Sequence, residues 1–249
     1  MQRIYVGIDL AAQPRSTAVA VLVEDGRRCV LDEVALGAAD QALVDTVTGA
    51  TKAGIDVPLG WPRRFVDLLA AHAASTLPVP ESTGDDWRRG LAMRETDLVV
   101  RRRTGLTPLS VATDRIAHPA LRWAGIESRL RELGLDVARD GSGAICEVYP
   151  AAALRSWGLA HRGYKGTRNK VPRAALVDAL AARLPDLDWN GHRPLCESED
   201  DALDAVLAAL IAREVAQGRA VPPREEELEL ARQEGWIWLP RSTSPGAGA

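Results

Sequence analysis

Cysteine is scarce in this chain: Cys29, Cys146 and Cys196 are the only three in 249 residues, widely spaced and without a CxxC. So odd and scattered a set excludes a disulfide framework and a thiolate zinc site, and fits reduced thiols in a cytoplasmic setting. Histidine is no richer. His72, His118, His161 and His192 fall in no HxH or HExxH spacing, which argues against a histidine-based metal centre. No apolar run reaches the length of roughly 18 residues that a membrane span needs, so no membrane partner is expected. The opening residues MQRIYVGIDL lack the basic, apolar and small-residue zones of a signal peptide and read directly as a strand. A large charge of one sign is missing as well. The formal net charge of −3 excludes binding to nucleic acid through bulk charge.

What is present is the material of one large domain. A hydrophobic content of 46% and a charged content of 26% are ordinary for a globular protein, and the length allows a substantial core. Charge is unevenly placed. HRGYKGTRNKVPR (161–173) carries Arg162, Lys165, Arg168, Lys170 and Arg173 with no acid, and RRGLAMRETDLVVRRR (88–103) carries six arginines against Glu95 and Asp97. Either stretch could follow a phosphate backbone, or form a solvated face.

Hydrophobic patterning predicts strands over 3–12, 16–25 and 28–36, joined by connections of hairpin length into an antiparallel meander. A helix over 38–50, with Asp40 as its cap, leads to a fourth strand over 53–62 that Pro58 and Pro62 bring to an end. Residues 63–142 read as a helical insertion covering one side of a site. AICEVYP (144–150) reads as a fifth strand, followed by amphipathic helices over 173–184 and 199–216. REEELELARQ (224–233) reads as solvated, GWIWLP (235–240) as a short strand or docking tail, and 242–249 as disordered by composition. The expected fold is therefore a single α/β domain over 1–241. It has a mixed five-stranded sheet, three antiparallel strands followed by parallel crossovers, with helices on both faces. Right-handed crossovers lay the fourth strand beside the first and the fifth beyond it.

Three acids recur in one setting. Asp9 follows YVGI, Asp56 follows AGI and Glu147 follows AIC, each late in an apolar strand where a lone carboxylate is costly. Parallel neighbours would bring all three to the C-terminal sheet edge, where open α/β sheets place ligands. Carboxylates so crowded raise one another's pKa unless a cation neutralises them, and Mg²⁺ or Mn²⁺ prefers such oxygen-only ligands. The segment EDDALDAVLAALIA (199–212) adds Asp200, Asp201 and Asp204 at the head of an apolar helix. Ser198 as N-cap and Asp201 in a capping box would explain the first acids by the helix dipole alone. Asp204 lies one turn inside, bordering the face of Leu203, Val206, Leu207 and Ile211 that should meet the sheet.

The ordered set VGIDLA, GIDVPLGWP, RETD, EVYPAAALR, YKG and DDALDAVLAALIA, spread over 3–216, resembles domain-of-unknown-function family 429, a group of predicted RNase H-like nucleases. Its last helix also resembles the D-x-x-D helix of Holliday-junction resolvases. The resemblance implies two-metal hydrolysis of nucleic-acid phosphodiesters, DNA or RNA. It implies Asp9 as bridging metal ligand, Asp56 as a second strand ligand, and Asp201 and Asp204 as helix ligands. Glu147 would be a further ligand or a water-positioning group, and either Asp56 or Glu147 could supply the middle acid. From RETD and YKG, Arg94 and Lys165 would contact phosphate and Tyr164 could stack on a base. Alternatively Arg94 and Asp97 form an ordinary helical ion pair worth about 0.3 kcal/mol.

Two other classes share this topology. An actin-like or sugar-kinase phosphotransferase would need a second lobe and Gly, Ser or Thr close behind the first Asp, where this chain has Ala11 and Ala12. A silent binding module would keep the fold without the metal. No residue argues for an oligomer.

Overall fold

The computed structural model describes residues 2–242. All but the first residue of the tail expected over 242–249 lies outside them. The first half of the chain runs β1 (Arg3–Asp9), β2 (Ala18–Asp25), β3 (Arg28–Leu36), α1 (Asp40–Thr48), β4 (Lys52–Asp56), α2 (Arg63–Ala73), α3 (Asp85–Ala92), α4 (Glu95–Thr104) and α5 (Ala117–Glu132). It continues with β5 (Ile145–Glu147), α6 (Pro150–Ser156), α7 (Lys170–Arg183), β6 (Leu187–Asp188), α8 (Arg193–Ser198) and α9 (Asp200–Ala216). A closing set of β7 (Ala220–Val221), α10 (Leu228–Glu234) and β8 (Leu239–Pro240) follows. No helix among the described residues is long and apolar enough to cross a membrane.

The central sheet has the order β5-β4-β1-β2-β3-β6. β1, β2 and β3 form the expected antiparallel meander, while β4 runs parallel to β1 and β5 parallel to β4. This is the mixed α/β sheet expected of an RNase H-like chain, with six strands in place of five. The addition is β6, two residues pairing parallel with β3, too short to leave an alternating pattern in the sequence. β7 and β8 form a separate two-stranded ribbon, and Ile237 bridges to Glu147 at the open edge of β5.

Several boundaries differ from expectation for local reasons. β1 stops at Asp9 because residues 10–17 leave the sheet, turning through Pro14–Ser16. Arg122 pins this loop, donating to Ala11 O at 2.8 Å and to Thr17 Oγ1 at 2.6 Å. The same guanidinium binds Asp40, which is the first residue of α1 and not its cap; Ala39 holds that place. β4 likewise ends at Asp56, ahead of Pro58, whose ring nitrogen has no proton for a ladder. Residues 224–233 are not simply solvated. Glu227, Ala231 and Glu234 are buried, and Glu234 accepts from Arg63 N at 2.7 Å and Glu95 N at 2.9 Å, serving the first turns of α2 and α4 together.

The two sheet faces are covered differently. One packs Val6, Ile8, Ala53 and Ile55 against Leu43, Val44 and Val47 of α1 and Trp123, Ile126 and Leu130 of α5. The other carries Tyr5, Ala18, Ala20 and Leu22 against α7, α8 and α9. α9 is buried on every side from Ala202 to Ala212, and so lacks the polar face of the amphipathic helix expected there. It reaches the sheet at two glycines that are register partners, Gly7 of β1 and Gly54 of β4. A Cβ on Gly7 would overlap Ala205 O and Ala209 N, and one on Gly54 would overlap Ala208 O. The helix backbone therefore rests on the strand backbones, with small side chains along the contact.

The close contact predicts that Gly7→Ala, which adds one methyl group, costs about 3 kcal/mol or more, because the clash is with backbone and no rotamer relieves it. Equilibrium urea unfolding measures this. A loss below roughly 1 kcal/mol would show that α9 can retreat from the sheet.

Candidate functional site

Asp9 and Asp56 close β1 and β4 and are register partners on adjacent parallel strands, whose axes lie about 4.8 Å apart. Each stands two residues beyond a glycine that touches α9, so strand alternation points both carboxylates to the α9 side of the sheet. Asp204 approaches the same edge from α9 and is 1% exposed.

The loop 161–169 is fastened over this edge by the head of α9. Asp200 accepts a hydrogen bond from Gly166 N at 3.1 Å and pairs with Arg173 at 3.4 Å. Arg173 is fully buried and donates to Tyr164 O at 2.7 Å, to Glu197 O at 3.1 Å and to Ser198 O at 2.5 Å. It is a staple between loop and helix and not one of the phosphate-tracking cations that its basic neighbourhood suggests. Ser198 belongs to α8, where its hydroxyl donates to Leu195 O; the N-cap of α9 is Glu199.

Fastened in this way, the loop delivers two side chains to Asp204. The Tyr164 hydroxyl donates to Asp204 Oδ1 at 2.8 Å, and Lys165 Nζ lies 2.5 Å from Oδ2. Tyr164 is 1% exposed, so its ring packs in the core and is not an open platform on which a base could stack, meeting the neighbouring cavity only at its wall. The four acids at the head of α9 thus divide by setting. Glu199 holds the N-cap position without a side-chain cap hydrogen bond, Asp200 holds the loop, Asp204 meets Tyr164 and Lys165, and Asp201 stays partly exposed beside them.

Repulsion dominates the electrostatics. Burial, then Asp204 and Asp56, push the Asp9 carboxyl well above the usual carboxylate range. Burial raises Asp56 to about 7, with Asp204 and Glu147 adding and Lys165 opposing. Asp204 is raised because burial outweighs Lys165 and Tyr164, and Asp201 is raised by burial, Asp200 and Asp204. Burial works against the Lys165 ammonium, but Asp204 and Asp56 outweigh it and hold Lys165 above its ordinary value. One ammonium thus faces four carboxylates.

The donor set suits a hard divalent cation, being oxygen-only and short of positive charge. Asp204 Oδ2 is buried and receives no aligned hydrogen bond, its neighbour being the Lys165 charge alone. The Lys165 ammonium sits on Asp204, and among the described residues no three potential ligands are grouped so as to hold an ion.

Glu147 reaches the same edge but the other side. It pairs with Ile55 in register, while its neighbour Cys146 pairs with Gly54 on the α9 side. Its carboxylate is taken up by Arg94, at 2.7 and 2.8 Å, and by Leu59 N at 3.0 Å. Arg94 is 1% exposed and spends all five N–H donors internally, on Glu147, Asp97 and Glu234 O. It has none left for phosphate. The Arg94–Asp97 pair is an i, i+3 pair as expected, but fully buried, tying α4 to β5 and to the end of α10.

A cavity of about 460 Å³ opens beside Asp56 and Lys165. Its walls come from the turn after β4, the insertion, the start of α6 and the 161–165 loop.

The family model for the protein of unknown function DUF429 matches residues 7–228. The chain belongs to that family. No curated protein and no solved structure matches it. In this DUF429 protein the resemblance of VGIDLA and DDALDAVLAALIA is carried by the two strand ends and the helix that meet at the sheet edge.

Raised carboxylate pKa values make a stability prediction with a definite sign. Asp9 holds protons in the folded state that the unfolded chain, with a pKa near 3.9, has released, so stability falls as pH rises past about 4. Without metal, Asp9→Asn should therefore be more stable than wild type at pH 7.5 by about 1 kcal/mol or more, with the gap closing toward pH 4. Thermal melts in EDTA across pH check this, and a destabilised variant at neutral pH would contradict it. Burial raises the Glu147 carboxyl too, against the pull of Arg94. Glu147→Gln should nonetheless destabilise, because it removes two charge-assisted acceptors from Arg94 and leaves it Asp97 alone as partner charge, at a cost of roughly 2–3 kcal/mol. Denaturant titration reads that loss; a cost under about 1 kcal/mol would show that Arg94 finds solvent.

Proposed function

We propose that this DUF429 protein is a divalent-metal-dependent hydrolase of nucleic-acid phosphodiester bonds. The observation that carries the reading is the gathering of Asp9, Asp56 and Asp204, with Asp201 beside them, at one sheet edge where Lys165 is, among the described residues, the cation that faces them. Mg²⁺ or Mn²⁺ would be held by Asp9, Asp56 and Asp204, with Asp201 in support. This requires Lys165 to leave Asp204 and the acids, not grouped for chelation as they stand, to draw in around the ion. Such an ion lowers the pKa of a water and offsets the charge that builds on a phosphate.

The chain's own groups have definite parts. Tyr164 fixes the rotamer of Asp204 through Oδ1 and leaves Oδ2 to a cation. Lys165, its side chain 55% exposed, has room to leave Asp204 and meet a phosphate oxygen. Arg162 and Arg168 are exposed on the same loop, and Lys170 at the start of α7, and they supply backbone contacts to a strand. A silent binding module is favoured by one observation, the Lys165–Asp204 pair itself, which already supplies a cation to the helix acid.

Calorimetry separates the two readings. Wild type should bind Mn²⁺, and Asp9→Asn and Asp204→Asn should each weaken binding by about a hundredfold, near 2.7 kcal/mol. Glu147→Gln, in its folded fraction, should bind as wild type does. Absence of Mn²⁺ binding by wild type, even with a phosphodiester oligonucleotide added, would leave the silent module.

A further inference from the structure

Hydrolysis of a phosphodiester needs carboxylates, a cation and a water. It does not need a largely apolar cavity of about 460 Å³ next to them, yet one is present. Asp56, Lys165 and Tyr164 belong both to the acid cluster and to the wall of the 460 Å³ cavity. Beyond them the wall is made largely by Val57, Pro58, Leu109, Ile116, Ala151 and Ile237. The polar groups apart from the acid end are Tyr149, His161 and Arg162, together with the Arg94–Glu147 pair, whose charges are already satisfied by each other. Leu109 is 60% exposed, an apolar side chain left in water at the site's edge.

Volume and chemistry together restrict the occupant. The cavity is of the size that holds a single small organic group, within the range of about 300–1,000 Å³ typical of ligand pockets. A base-paired duplex presents phosphates and sugars outward and keeps its bases stacked, so it has nothing apolar to place there. An unpaired nucleobase is flat and apolar on its faces and polar at its edges, matching aliphatic walls with a few hydrogen-bonding groups. Extruding a base is least costly when the strand is already single.

Building on the phosphodiester reading, we infer that the substrate is single-stranded at the point of cleavage. One unpaired base enters the cavity beside Asp56, and the adjoining phosphate lies against the acid cluster. Arg162 at the cavity and Arg168 beyond it on the exposed face of the loop guide the flanking backbone. The insertion contributes selectivity through Leu109 and Ile116, which would otherwise have no part in the site.

The test is fluorescence anisotropy with labelled dodecamers, with Ca²⁺ in place of Mg²⁺ to slow cleavage. The probes are single-stranded DNA, single-stranded RNA, the same strands with abasic sugars throughout, and a blunt DNA duplex. Base-bearing single strands of at least one sugar type should bind about tenfold or more tighter than their abasic counterpart and than the duplex. Ala151→Phe, which fills the cavity, should bring the base-bearing strand down to the abasic level. Leu109→Ser, at an exposed position that leaves folding intact, should weaken it about threefold in the same direction. Mn²⁺ affinity should be unchanged in both variants. Equal binding of abasic and base-bearing strands, or of duplex and single strand, with Mn²⁺ binding intact, overturns the base pocket and leaves the metal reading standing. Loss of both Mn²⁺ and oligonucleotide binding in wild type overturns both.

Discussion

The arrangement of the molecule depends on one contact, the seat of α9 on Gly7 and Gly54. Two strand backbones meet one helix backbone with no side chain between them, which is possible only because both strands carry glycine at the same register position and the helix offers Ala205, Ala208 and Ala209. Dispersion over so close an approach is favourable, and any added methyl group turns it repulsive. The same contact sets the depth at which Asp204 meets the sheet. Two residues past the glycines the strands end in Asp9 and Asp56, so the constraint that packs the core also brings the carboxylates together.

That closeness has an electrostatic cost, which the fold offsets with a loop. Arg173 and Asp200 fasten residues 164–166 to the head of α9, and the fastened loop sets Tyr164 and Lys165 on Asp204. The acid-rich helix start, which propensity alone would explain as capping, makes no side-chain cap at Glu199 and is spent on loop anchoring and the cluster. On the far side of the sheet, Arg94 gathers Asp97, Glu147 and the end of α10 into a buried network separate from the cluster. One sheet edge thus carries two ionic groups: one satisfied within the chain, the other left with excess negative charge.

The parts of this legible in the sequence were those written in a period. The meander, the crossover order and the placement of Asp9 and Asp56 at neighbouring strand ends follow from alternation and from the shared Gly-Ile-Asp. Asp204 follows from its place on the helix wheel. The parts that escaped depend on burial of polar groups, which no period records. Arg94, Tyr164 and Arg173 sit in segments that read as basic or loop-like, yet all three are enclosed and their donors satisfied by chain segments remote in sequence. The side of the sheet taken by Glu147 depends on whether it or Cys146 pairs with Gly54. A three-residue strand buried on both faces carries no alternation to decide that.

The central claim is that the cluster is a cation site for which Lys165 stands in. Anomalous diffraction from crystals grown with saturating Mn²⁺ tests it directly. The account predicts a manganese peak bounded by Asp9, Asp56 and Asp204, with the Lys165 ammonium moved off Asp204 Oδ2. A map with no peak at the sheet edge and the Lys165–Asp204 pair intact would contradict it.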